Sequence, residues 1–401
     1  MSWSSAVALA ALVSISAAAC TSPEPATREP PAAGGSSSQP PTPEASGPRS
    51  PGRTNRGGDD TVRLVLTGDV LVHDGLWDVA RRDARRVGSG AGTLDFRRIL
   101  RPVRPLVRTA DVAVCHLETP VAPRQGPFLS YPAFSVPPQI LGALRATGFD
   151  ACTTASNHSL DQGFTGLART LSAMDRSRLA HTGTARDPSE RRRLLRLRAD
   201  GLEIALLSYT FGTNGIPIDA DKPWSVNLVD PVRIRADARR AKAAGADAVV
   251  VALHWGEEYS HAPSGYQRQI AAQVTRSRDV DLVYGHHAHV VQPVEKVNGT
   301  WVAWGLGNFV AEQETDVVGI YEGMVAQFAI TRRRDETRVR WTGYRPTYIS
   351  GYDPRSPDMR VYDIEAELGD DSVGQPLRRQ LRAAERRVRS VVGTVPTRRR
   401  R

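Results

Sequence analysis

The sequence predicts an α/β domain built on a mixed β-sheet or on a pair of packed sheets. From residue 61, short runs of β-branched residues alternate with Ala-, Arg- and Leu-rich stretches of helical character. The early apolar runs are continuous, as in strands that are buried on both faces, whereas the last ones alternate apolar and polar residues. Composition agrees, because 40% hydrophobic and 24% charged residues are ordinary for a globular protein and exclude a multi-span membrane protein.

Predicted strands and helices follow one another along this region. Strands are expected at 61–68, 111–117, 149–154, 202–209, 247–253, 280–284, 300–304, 323–331 and 337–343. Helices are expected at about 94–109, 137–147, 163–175, 231–244 and 264–277. Gly148 and Gly245 each stand just past a predicted helix, where a left-handed residue commonly ends it. An alternation of this kind is typical of the α/β class.

The first 60 residues predict where in the cell the protein is located. Residues 6–19 form an apolar run of small residues, too short to span a bilayer and typical of an export signal. The run ends at Cys20 in a context similar to a bacterial lipobox, although no basic residue precedes it and Ala17 stands where Leu is usual. We expect 1–20 to be a signal peptide with a lipidated Cys20, which places the protein on the extracytoplasmic face of the membrane. A cleaved signal with an unmodified Cys20 is the alternative, and the protein would then be secreted.

The remaining terminal segments are polar or basic. Residues 21–60 are rich in Pro, Ser and Gly, which predicts a disordered tether. The net charge is +10, but 376–401 alone holds ten arginines against the single acid Glu385, so the rest is nearly neutral and no nucleic-acid partner is expected. A short basic helix ahead of the arginine tail is predicted by apolar residues at three- to four-residue spacing, namely Leu377, Leu381, Ala384 and Val388.

Potential metal ligands follow nearly every predicted core strand, where functional groups gather in α/β sheets. Eight of the nine histidines lie in or beside six such segments, and only His181 stands apart. Taken singly, each segment has an ordinary explanation as a turn, a helix cap or a buried histidine. Their recurrence favours a site for two divalent metal ions, and carboxylate, amide and imidazole donors suit Mn, Fe or Zn.

The ordered segments resemble the poly-γ-glutamate capsule biosynthesis protein CapA family, a branch of the calcineurin-like metallophosphoesterase superfamily. The motifs are TGDVLVH (67–73), HLETP (116–120), ASNHSLDQG (155–163), HWGEEY (254–259), GHHAHVVQPVE (285–295) and WGLGNF (304–309). The resemblance implies a four-layer αββα metallophosphoesterase-like sandwich with mixed sheets. The motifs cover residues 61 to about 312, and we expect the domain to span 61–345, with 346–401 as a C-terminal extension that carries the basic helix and the arginine tail.

The resemblance also implies roles for matching residues. The implied metal ligands are Asp69, Glu118, Asn157, His254, His287 and His289. Among them, Glu118 would bridge both ions. His158 would face the scissile group as a catalytic residue, and Asp161 would fix its tautomer through a hydrogen bond.

Three positions depart from the superfamily pattern. The histidine that usually follows the first aspartate by two residues is Leu71 here, which makes His73 a candidate substitute. His116 stands where the wider family often has Asn. The run at 285–289 contains three histidines, so His286 is a candidate ligand or a hydrogen-bond partner of one.

Three functions are compatible with these residues. The first is a metal-dependent hydrolase or processing factor of the cell envelope that acts on an anionic polymer of γ-linked glutamate. The second is a metal-dependent phosphoesterase on another, phosphorylated substrate. The third is a non-catalytic binding or assembly component, against which the His158–Asp161 pair argues, because a structural metal site does not need it.

Two cysteines of the domain, Cys115 and Cys152, directly precede or lie near the motifs. A disulfide is one alternative if the fold brings them together. We expect buried free thiols on adjacent strands.

Overall fold

The computed structural model describes residues 60–88, 90, 93–313, 316–333, 336–355 and 358–393. The predicted signal peptide, Cys20, all but the last residue of the tether and the arginines at 398–401 lie outside these residues. None of the helices in this described part has the length and apolarity that crossing a bilayer requires.

Strands and helices alternate along most of the described chain. The strands are β1 (Asp60–Leu71), β2 (Val112–Leu117), β3 (Ala151–Thr153), β4 (Ala180–Thr182), β5 (Leu195–Ala199), β6 (Leu202–Thr210), β7 (Ala248–His254), β8 (Leu282–His286), β9 (Val294–Val297), β10 (Thr300–Ala303), β11 (Asn308–Ala311), β12 (Glu322–Arg333), β13 (Glu336–Ile349) and β14 (Val361–Asp363). The helices are α1 (Asp74–Arg86), α2 (Arg104–Val107), α3 (Gln139–Thr147), α4 (Gly163–Arg176), α5 (Pro188–Arg192), α6 (Pro231–Ala243), α7 (Gly265–Val274), α8 (Ile364–Leu368) and α9 (Gln375–Val392).

The strands form two sheets, and both are mixed. The first has the order β14-β13-β12-β1-β2-β3-β4, with β11 also paired to β1, and the second has the order β5-β6-β7-β8-β10-β9. In the first sheet β1 to β4 are parallel to one another. Strand β12 is antiparallel to β1, β13 to β12 and β14 to β13. In the second sheet β6, β7, β8 and β10 are parallel and the edge strands β5 and β9 are antiparallel.

The two sheets and the helices on their outer faces form four layers, with a core of buried side chains between adjacent layers. One core lies between the first sheet and helices α1, α3 and α4, a second joins the two sheets, and a third lies between the second sheet and helices α6 and α7. Alternation along a strand produces this division: Leu64 and Leu66 of β1 belong to the middle core, and Val65 between them faces the helices. The predicted αββα sandwich with mixed sheets is therefore confirmed.

Some local predictions were wrong or incomplete. The expected helix at 94–109 is largely a series of turns, and only α2 is helical there. Pro102 and Pro105 each lack a backbone donor, which limits regular helix in this segment. Helices α1, α5 and α8 and strands β4, β5, β9, β11 and β14 were not predicted, and most of these strands are too short to show a periodic pattern. Gly148 and Gly245 do have the expected left-handed φ, of 125° and 94°.

Cys115 and Cys152 form a disulfide, so the expectation of free thiols was wrong. The parallel register of β2 and β3 places the two residues directly opposite each other, with Cα atoms 4.4 Å apart. Both residues are fully buried. The cross-link therefore joins two strands immediately below the residues of the candidate site, because His116 follows Cys115 directly.

Candidate metal centre

The predicted ligands meet at the carboxyl ends of strands from both sheets. Asp69, near the end of β1, lies opposite His116 of β2, and His254 at the end of β7 lies opposite His286 at the end of β8. Because the two sheets pack face to face, these two rows of polar side chains come together. Asn157 joins them from the turn after β3, where its Oδ1 lies 2.7 Å from His254 Nε2.

Glu118 is the most exceptional residue of this cluster. Its two carboxylate oxygens are buried, and neither has a hydrogen-bond partner among the described residues. The nearest basic atoms, His289 Nε2 and His254 Nε2, lie 3.8 and 3.9 Å from its Oε1. Burial raises the pKa of Glu118 well above its usual range, and Asp69 adds to this against the opposing effect of His289. Burying a carboxylate without a hydrogen bond is costly, and a bound cation would satisfy both oxygens.

Asp69 is held by the histidines of the segment after β8. Its Oδ1 accepts from His286 Nδ1 at 2.6 Å, and its Oδ2 accepts from the backbone N–H of His287 at 3.2 Å. Burial alone would raise the pKa of Asp69, but hydrogen bonds from His286 and His289 outweigh it and hold that pKa well below its usual range. Burial opposes the charge of His289, yet Glu118 and Asp69 prevail and raise its pKa to about 9. These buried carboxylates therefore attract positive charge.

Hydrogen bonds connect Thr153, His116 and His254 within the ligand cluster. His116 Nδ1 lies 2.8 Å from Thr153 Oγ1, and His116 Nε2 lies 3.0 Å from His254 Nδ1. Burial holds the pKa of both imidazoles well below the usual range, so each ring is neutral with a single N–H. Both ring nitrogens of His116 thus contact protein groups, and His116 orients the His254 ring in this arrangement.

Ligand atoms approach one another closely enough to hold a metal ion. Within each group they lie within 4.8 Å of one another, and the groups are Asp69, Glu118 and His289, then Asp69, His116 and His286, and finally Glu258, His287 and His289. His286 Nε2 and His287 Nδ1 are buried and have no hydrogen-bond partner among the described residues. Glu258 was missed by sequence reasoning, although it stands in the HWGEEY motif four residues after a predicted ligand.

Backbone strain marks the same segment. His287 and His289 have φ values of 86° and 57°, which non-glycine residues rarely adopt. Strain of this kind costs energy and clusters at functional sites. The positive φ values support a functional role for the two histidines.

His158 and Asp161 form a close pair beside the ligands. Asp161 Oδ2 accepts from His158 Nδ1 at 2.8 Å and from the backbone N–H of Phe134 at 2.8 Å. The Phe134 ring contacts His158 edge-on, with centroids 4.9 Å apart. Because the carboxylate can only accept, Nδ1 carries the proton and Nε2 remains available.

His73 stands apart from the ligand groups. Its Nδ1 lies 3.0 Å from the carbonyl oxygen of Leu71 and 3.2 Å from the backbone nitrogen of Glu312. Burial lowers the pKa of His73 to about 4. It belongs to none of the three ligand groups found among the described residues.

Comparison with known proteins adds a family relationship to this geometry. Residues 63–313 match the family described as bacterial capsule synthesis protein PGA_cap. The PGA biosynthesis protein CapA of Bacillus subtilis is 30% identical over 262 residues, which cover 64% of each chain. The capsule biosynthesis protein CapA of Bacillus anthracis is 25% identical over 262 residues, covering 64% of this chain and 61% of that protein. The chain thus spans less than two thirds of the length of these relatives.

Among solved structures, the chain resembles the calcineurin-like phosphoesterase YfkN from Bacillus subtilis. The TM-score is 0.44 at 13% identity, over 82% of this chain and 98% of that chain.

Proposed function

The chain belongs to the bacterial capsule synthesis protein family PGA_cap, and we propose that it is a metal-dependent hydrolase that processes an anionic polymer of γ-linked glutamate at the cell envelope. The buried Glu118 carboxylate supports this proposal most strongly, because it lies among imidazole and carboxylate groups and none of the described residues hydrogen-bonds to it. A purely structural arrangement would pair such a carboxylate with protein donors.

The donor set fits divalent cations of the Mn, Fe or Zn type. In this proposal two such ions would be held by Asp69, Glu118, Asn157, His254, His287 and His289. When bound, such ions polarise the electrophile and lower the pKa of an attacking water. His116 and Thr153 would hold the His254 ring in place through the hydrogen bonds described above.

The protein's own proton donor is His158. Asp161 accepts the Nδ1 proton, and the backbone N–H of Phe134 holds the same carboxylate oxygen. Since Nδ1 keeps its proton, His158 Nε2 would accept a proton from the attacking water and pass it to the leaving nitrogen as the C–N bond of a γ-linked amide breaks. A site that only bound a metal for stability would have no use for this pair.

Export and membrane attachment belong to the same proposal. They are supported by the signal-like residues 6–19 ahead of Cys20 and by the Cys115–Cys152 disulfide, since disulfides persist in oxidising compartments. Metabolic labelling with a radioactive fatty acid in a bacterial host tests the anchor. Label should enter the wild type and not Cys20→Ser; unlabelled wild type would leave secretion as the outcome.

The enzymatic proposal is tested with purified protein, γ-linked polyglutamate and added Mn²⁺, Fe²⁺ or Zn²⁺. Metal-dependent shortening of the polymer is expected, and His158→Gln should slow it by about 100- to 10,000-fold. His181→Gln is the matched control, because His181 also pairs with an aspartate, Asp175, at 3.0 Å, but stands outside the motifs. Cleavage of phosphate esters alone, or equal rates in wild type and His158→Gln, would refute the proposal.

A further inference from the structure

The loop that follows β6 lies against the metal centre although it belongs to none of the recognised motifs. The ring of Phe211 lies 4.6 Å from that of His287 and 6.3 Å from that of His254, measured between centroids. Three residues further on, the side chain of Asn214 reaches both Asn157 and His158. The loop therefore contacts a proposed ligand and the proposed proton donor at once.

We propose that Asn214 is a positioning residue that fixes which end of the Asn157 carboxamide faces the metal site. This inference rests on the proposed function, in which Asn157 is a ligand. A carboxamide can present either an oxygen or an NH₂ group, and only the oxygen binds a cation. Something in the protein must choose between these two orientations.

The contacts of Asn157 show how the choice is made. Its Nδ2 donates to Asn214 Oδ1 at 3.1 Å, and its Oδ1 lies 2.7 Å from His254 Nε2. A carbonyl oxygen can only accept a hydrogen bond. If the Asn157 carboxamide turned by half a rotation, its oxygen would face the Asn214 oxygen and its NH₂ would point at the ligand cluster. Asn214 therefore holds the oxygen toward His254, where the other proposed ligands converge.

The backbone holds Asn214 in place for this role. Its φ is 51°, in the left-handed region that Asn tolerates better than most residues. Around it, Thr213 Oγ1 donates to the Ile216 carbonyl at 2.6 Å, and the Ile216 N–H donates to the Thr213 carbonyl at 2.9 Å. Asn214 Nδ2 also lies 3.5 Å from His158 Nδ1, a contact without a hydrogen bond because that nitrogen donates its proton to Asp161. The turn thus places the carboxamide between two adjacent site residues.

Three variants test the inference. Asn214→Gly removes the carboxamide but keeps the left-handed backbone accessible. Asn298→Gly is the matched control: Asn298 has a φ of 50°, and its side chain bonds the Ala272 carbonyl at 3.1 Å in the turn between β9 and β10. Asn214→Asp keeps an acceptor oxygen in the same position. Each full-length protein is stripped with chelator, and its Mn²⁺ affinity is measured by equilibrium dialysis with elemental analysis.

Removing a residue that hydrogen-bonds to a metal ligand typically lowers metal affinity by about 10- to 100-fold. We expect a decrease of this size in Asn214→Gly. Asn298→Gly should bind like the wild type, and Asn214→Asp at least as tightly. Equal affinities of Asn214→Gly and wild type would overturn the inference alone, as would an Asn214→Asp as weak as the glycine variant. A wild type that takes up no Mn²⁺ would overturn both the inference and the proposed function. Thermal unfolding of the metal-free glycine variants should coincide, which separates the effect from misfolding.

Discussion

Replacing Glu118 by Gln should change the stability of the metal-free and the metal-loaded protein in opposite directions. In the metal-free protein, the carboxylate oxygens of Glu118 are buried, receive no hydrogen bond from the described residues and lie 3.8 Å from the nearest imidazole nitrogen. A buried group without a partner costs about 1–3 kcal/mol, and more when it is charged. A neutral amide of the same shape is cheaper to bury, so Glu118→Gln should raise the free energy of unfolding by about 1 kcal/mol.

The stability advantage of Glu118→Gln over the metal-free wild type should increase with pH. The ordinary pKa of glutamate is 4.5, and burial raises that of Glu118 well above it. The folded protein then holds the proton more tightly than the unfolded chain, so its stability falls as the pH rises above 4.5, until the folded pKa is passed. Each pH unit in that interval costs at most about 1.4 kcal/mol. Glu118→Gln lacks this decline.

With bound metal, the wild type should be more stable than Glu118→Gln. A cation present at 100 times its dissociation constant stabilises the folded wild type by about 2.7 kcal/mol. Glu118→Gln, which offers one neutral oxygen where the wild type offers a carboxylate, should gain much less.

Urea unfolding followed by circular dichroism, with chelator and then with Mn²⁺ at several pH values, measures both effects. Glu257→Gln is the control, because Glu257 is exposed and belongs to none of the ligand groups that the described residues form. The reasoning is refuted if Glu118→Gln is less stable than the wild type in chelator at pH 8, or if both gain equally from Mn²⁺.

Two further predictions concern the disulfide and the missed carboxylate. Removing the disulfide with Cys115→Ala and Cys152→Ala, which are 37 residues apart, should lower the urea midpoint by an amount corresponding to about 2–4 kcal/mol. An unchanged midpoint, or alkylation of Cys115 and Cys152 in the denatured, unreduced wild type, would contradict the bond. Glu258→Gln should weaken Mn²⁺ binding while Glu257→Gln leaves it unchanged; equal affinities in dialysis would exclude Glu258 as a ligand.

Sequence reasoning was most successful where a residue's position depends on a strand. Asp69 and His254 stand at strand ends, and parallel strands necessarily bring such ends to one edge of a sheet. The continuous apolar runs of β1 and β7 were sufficient to place those ends. The order of the motifs then allowed the family resemblance that supplied the sandwich architecture.

Other features depend on distances that no local pattern encodes. The disulfide requires the register of β2 against β3 to be known to a single residue, and a shift of one would separate the sulfurs. Asn214 reaches the site from a turn held by its own hydrogen bonds, so no motif marks it. Glu258 is exposed beside the equally exposed Glu257, and only the path of the loop distinguishes them. Loop conformation and cross-strand register depend on tertiary contacts, which a single sequence does not specify.

Metal content is the simplest test of whether Asp69, Glu118, Asn157, His254, His287 and His289 form a metal centre. Full-length protein purified without chelator is analysed by elemental mass spectrometry beside Asn157→Ala and His289→Ala. About two equivalents of Mn, Fe or Zn are expected in the wild type, with a clear fall in both variants. A wild type that contains no metal, and takes up none when incubated with Mn²⁺, Fe²⁺ or Zn²⁺, would contradict the account.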